Sequence, residues 1–88
     1  MKGWILERLL SGADSLSRDP HVRIALLQGR VRMWTRLEAR AVERRGEAKG
    51  NKRRHNRWDR AVTNRRAKVD ELVGRLERLQ AETPGALP

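Results

Sequence analysis

From Ile24 onward the apolar positions recur in alternating steps of three and four: Ile24, Leu27, Val31 and Trp34, continued at the same spacing by Glu38, Ala41 and Arg45. A repeat averaging three and a half residues marks a heptad seam, the stripe of an α-helix that faces a partner helix. The pattern returns in Trp58, Val62, Arg65, Val69, Leu72, Leu76 and Leu79. Laid antiparallel, the two seams pair Ile24 with Leu79, Leu27 with Leu76, Val31 with Leu72 and Trp34 with Val69. Glu38 then meets Arg65, Ala41 meets Val62, and Arg45 meets Trp58. This register puts the fold-back between Asn51 and Lys52, beside Gly50, a residue suited to a turn. It also sets opposite charges together at Glu38 and Arg65, and sets Arg45 against an aromatic face for a cation–π contact. Seam, turn and charge agree, as expected of a sequence that specifies one hairpin.

Start and stop signals bound these helices. Asp19 can accept from the free N–H groups of a first turn, and Pro20 suits the first helical position because its missing N–H costs nothing there. Asn56 and Asp59 have the spacing of a capping pair at the start of the later helix. Thr83-Pro84-Gly85 closes it. Upstream, Trp4, Ile5, Leu6, Leu9 and Leu10 give a short helix with a wide apolar face, stopped at Ser11-Gly12. A second apolar stripe (Val22, Leu26, Met33, Leu37 and Val73) flanks the seam far from the turn and offers that short helix a surface. The pattern therefore predicts an all-α fold: a short N-terminal helix over 3–11 packed on the base of a long antiparallel two-helix, coiled-coil-like hairpin. The hairpin has helices over 20–48 and 54–82, a turn over 49–53 and a C-terminal tail over 83–88.

Eighty-eight residues form one domain at most, with a small core that gains from a partner. Homo-oligomerisation through the N-terminal apolar head is one expectation. No cysteine is present, which removes disulfides and thiolate metal sites. No apolar run reaches the ~18 residues of a membrane span, and Glu7 and Arg8 interrupt the first apolar stretch, a poor secretory signal. Membrane contact is not expected, and a cytoplasmic, ribosome-, nucleoid- or virion-associated location is.

Charge changes the picture most. Of 21 basic residues, twelve lie between Arg40 and Lys68, with three acids among them (Glu43, Glu47, Asp59). That segment carries +9, residues 1–39 carry +3 and residues 69–88 carry −2. A local basic block of this density marks a surface that meets a polyanion, because its self-repulsion is costly when nothing binds it. The alternative is a charged helix surface bathed in solvent. Guanidinium groups bond phosphate oxygens in bidentate fashion, and lysines add point charge. The candidate nucleic-acid-binding residues are Arg44, Arg45, Lys49, Lys52, Arg53, Arg54, His55 and Arg57 at the tip, followed at helical spacing by Arg60, Asn64 and Lys68. Trp34 and Trp58 belong to the seam as core residues, although Trp58, one turn from the tip, is also placed to stack on a base.

Other chemistries find no support. No glycine-rich phosphate loop, nucleophile elbow, carboxylate pair or zinc spacing occurs, and His21 stands alone. The expectation is a non-enzymatic protein without metal or cofactor, binding DNA or RNA through the phosphate backbone. The alternative is a coiled-coil assembly subunit that recruits an acidic protein.

The stretch Asp19-Pro20-His21-Val22-Arg23-Ile24-Ala25-Leu26-Leu27 resembles the start of the second helix in the bacterial ribosomal protein S15 family, small basic helical proteins that bind ribosomal RNA. The resemblance spans nine residues and implies RNA binding. The family's histidine- and serine-containing turn motif is not found in its usual form, and the spacing from Pro20 to Arg65-Arg66 is longer by about a heptad. The chain is not assigned to that family on this basis.

Overall fold

A computed structural model describes Arg8 and residues 18–85. Two α-helices fill nearly all of the second stretch, and no strand occurs among the described residues. Helix α1 spans Pro20–Glu47 and helix α2 spans Lys52–Glu82. The two pack antiparallel as a hairpin. At a rise of 1.5 Å per residue they run about 42 and 46 Å. The helix expected over 3–11 lies outside the described residues save Arg8, and with it the apolar head formed by Trp4, Leu6, Leu9 and Leu10.

Asp19 caps α1 as its sequence suggests: its carboxylate accepts from the His21 N–H at 2.9 Å, and Pro20 holds the first helical position. The cap of α2 is Asn51, whose Oδ1 accepts from the Arg54 N–H at 3.1 Å. This corrects the capping role expected of Asn56, which lies inside α2. The connection between the helices is correspondingly tight. The Ala48 carbonyl accepts from the Asn51 N–H at 3.1 Å, and Gly50 has φ +86°. Glycine in the third position of such a turn is needed because a side chain there would clash with the backbone. At the far end Thr83 caps α2, with its hydroxyl donating to the Leu79 carbonyl at 2.7 Å.

The buried apolar core consists of Ile24, Leu27, Ala41, Ala48, Val62 and Leu72, all seam residues except Ala48, which continues the seam into the turn. Val31, Trp34, Val69, Leu76 and Leu79 are half-buried along the same line. Near the tip the fully buried seam side chains are small (Ala41, Ala48 and Val62), and half-buried Trp58 lies beside them. Toward the open end leucines fill the gap. Each fully buried Leu or Ile stabilises by roughly 1.5–3 kcal/mol, so a core this short supports only a modest total.

Two positions depart from the seam. Arg30, adjacent to the predicted Val31, is only 2 % exposed. The cross-helix pair expected between Glu38 and Arg65 is made instead by Arg66, whose Nε lies 3.7 Å from Glu38 Oε1. Arg65 Nη1 donates to the Leu37 carbonyl at 2.6 Å. Arg65 keeps its aliphatic stem in the interface and spends its charge on main chain, as long basic side chains at helix interfaces do.

Candidate nucleic-acid interface

The tight turn decides how the cations are displayed. Because α2 begins at Lys52, residues Lys52, Arg53 and Arg54 form its first turn, and no acid shares that turn. The free N–H groups of a helix start already carry partial positive charge, so three cations there raise the local potential further. A helix optimised for its own stability would have acids in this position.

Arg53, Arg57, Arg60 and Asn64 follow at steps of four, three and four, which keeps them on one face of α2. All four are exposed, as are Lys49, Lys52, Arg54 and His55. The face points away from the seam, and from Arg53 to Asn64 it runs about 17 Å. Lys49, Lys52, Arg53, Arg54, Arg57 and Arg60 make no ion pair among the described residues.

Three of the predicted site residues are engaged within the chain. Arg44 Nη1 lies 3.5 Å from Glu47 Oε2, one turn along α1. Arg45 Nη1, which the register places against Trp58, donates to Asp59 Oδ1 at 2.9 Å across the hairpin. Lys68 Nζ lies 3.4 Å from Glu71 Oε2. Arg44 and Arg45 also sit in the last turn of α1, where a cation complements the negative end of the helix dipole. These two arginines thus have a structural use that the first-turn cations of α2 lack.

Two concave surfaces flank the turn. One, of about 350 Å³, is lined by Lys49, Gly50, Asn51, Lys52 and His55 beside Ala48. The other, of about 270 Å³, lies between Arg44, Glu47, Arg54 and Trp58. Half-buried Trp58 therefore belongs to the seam and also borders a cleft that Arg44 and Arg54 line. Arg40 and Arg66 are exposed too, outside the predicted set.

Among the described residues no group of histidines and carboxylates is placed to hold a metal ion. No helix of the described residues is long and apolar enough to cross a membrane. Comparison with family models, curated proteins and solved structures returned no match. The nine-residue likeness at the start of α1 therefore gains no further support.

Proposed function

We propose that the hairpin is a non-enzymatic nucleic-acid-binding element that grips the phosphate backbone with its tip and with one face of α2. The supporting observation is the first turn of α2, where Lys52, Arg53 and Arg54 stand exposed on the positive end of a helix with no carboxylate in that turn. That arrangement costs stability in the free protein through like-charge repulsion and an adverse helix dipole. A polyanion offsets both terms, and phosphate oxygens match the guanidinium fork. Arg57, Arg60 and Asn64 extend the same surface along the helix, so a strand can be followed rather than touched once. Contacts of this type hold a backbone in place without reading sequence.

The acting residues in this reading are Lys49, Lys52, Arg53, Arg54, Arg57 and Arg60, with His55 and Asn64 as polar contacts. Arg44, Arg45 and Lys68 contribute field but begin paired with acids. The test is a variant with Arg53, Arg54 and Arg57 changed to alanine, titrated against duplex DNA, single-stranded DNA and structured RNA. All three positions are exposed, so circular dichroism should show unchanged helicity while affinity falls at least tenfold. An unaltered affinity removes the tip from the interaction. A wild-type protein that ignores all three nucleic acids but captures an acidic protein supports the assembly reading instead.

A further inference from the structure

Of the three aromatic residues in the chain, only Trp58 lies inside the basic block. It lines the cleft of about 270 Å³ beside the turn, together with Arg44, Glu47, Ala48 and Arg54. The sequence register sets Arg45 against the indole, but Arg45 Nη1 donates to Asp59 Oδ1 at 2.9 Å. The cation expected on the ring is directed to a carboxylate, and the half-buried indole keeps a surface that opens into the cleft.

The charges of this cleft do not suit a phosphate. Arg44 and Glu47 are paired at 3.5 Å, and Arg54 makes no ion pair among the described residues, so two guanidiniums against one carboxylate leave +1. The Glu47 carboxylate repels a second anion at this point. What the cleft offers is an aromatic surface, the Ala48 methyl, two guanidinium planes and the acceptor oxygens of one carboxylate. That set matches a nucleobase, which is flat and uncharged and stacks on indole and guanidinium faces. Its amino and imino N–H groups donate to carboxylate oxygens. The cleft falls below the volume of drug-sized ligand sites, about 300–1,000 Å³, which suits a single heterocycle.

We propose that this cleft receives one unpaired nucleobase, which makes single-stranded or looped nucleic acid the substrate class of the tip. The inference rests on the backbone grip proposed above and adds to it a contact with the base. Arg54 precedes Trp58 by one helical turn and Arg57 by three residues, so the phosphate contacts and the cleft share one side of α2. In a duplex both faces of each base are covered by its neighbours, and a base must leave the stack before it can enter a pocket. An unpaired base in a loop or a single strand enters without that cost. DNA and RNA strands both present such a base.

The test compares two single strands of equal length and charge, one with bases and one fully abasic, at one salt concentration and in both DNA and RNA forms. Wild type should bind the base-bearing strand at least about fivefold more tightly, the lower end of what stacking one base on an aromatic side chain contributes. Trp58→Leu keeps an apolar side chain in the seam and should bring that ratio toward one, whereas Trp58→Phe keeps a ring and should retain most of it. Photo-cross-linking of wild type to a single strand carrying 5-iodouracil should place an adduct on Trp58, a readout that needs no variant if Trp58→Leu fails to fold. Annealing the complementary strand should abolish that adduct. Equal affinity of wild type for the two strands, a ratio unmoved by Trp58→Leu, adducts confined to other residues, or a Trp58 adduct that survives annealing each overturns the inference and leaves the backbone grip standing. Absence of salt-dependent binding to either strand removes the grip itself, and this inference with it.

Discussion

Arg45 and Asp59 join the two helices 2.9 Å apart, just behind the turn. Asp59 is one of three acids in the basic block and the one that ties the helices together there. The pair is partly exposed, so it contributes only about 0.2–1 kcal/mol to stability. Its larger effect is electrostatic, because it cancels one cation beside the candidate interface. Asp59→Asn should lower stability slightly in urea denaturation. It should also raise affinity for nucleic acid and steepen the dependence of log affinity on log salt concentration by about one phosphate contact. Weakened binding would show that Arg45 must be held by Asp59 for the tip to work.

Two glycines four residues apart should respond to alanine in opposite directions. Gly46 lies in the last turn of α1, and an added Cβ meets nothing within 4 Å. Gly46→Ala should stabilise by about 0.5–1 kcal/mol, through the reduced entropy of the unfolded chain. Gly50 has φ +86°, and Gly50→Ala should destabilise by about 1–2 kcal/mol. Thermal unfolding followed by circular dichroism should therefore shift up for the first variant and down for the second.

Leu72 is fully buried, with 0 % exposure, and Leu72→Ala should cost about 2–5 kcal/mol. That is a large share of the total stability of a chain this size, about 4–13 kcal/mol. Val42, at 38 % exposure, gives the contrast: Val42→Ser should stay within about 0.5 kcal/mol of wild type. Urea midpoints measured on the two variants check both values.

Arg65 should behave as a structural residue despite its charge. Its Nη1 bonds the Leu37 carbonyl at 2.6 Å, so Arg65→Met keeps the stem and loses about 1–3 kcal/mol of charged hydrogen bond. The salt dependence of nucleic-acid binding should not change. A shallower slope would move Arg65 into the interface.

The hairpin was legible because its two seams share one period and meet at a glycine. What escaped the sequence depends on reach and on competition between signals. Arg65 and Arg66 are neighbours, and no periodicity tells which of two long side chains arrives at Glu38; the helix placement gives it to Arg66. Asn51 and Asn56 both carry cap chemistry, and the tight turn at Gly50 selects Asn51 by starting α2 at once. Arg30 reads as polar surface beside Val31, yet its long stem suits an interface and it is buried. The groove that Arg23, Arg75 and Arg78 line near the open end of the hairpin escaped for another reason. Arg23 and Arg78 are separated by nearly the length of the hairpin, out and back, so counting charge in windows along the chain misses them. The basic tip was visible because its cations are close in sequence as well as in space.

The most direct test of the central claim, that the exposed cations of the tip and of α2 hold a phosphate backbone, is the slope of log binding constant against log salt concentration. For the wild-type protein on single-stranded nucleic acid, neutralising four to six phosphates gives a slope of about −3 to −4. A slope near zero would contradict the account, because a surface whose affinity ignores salt is not exchanging counterions for guanidinium groups.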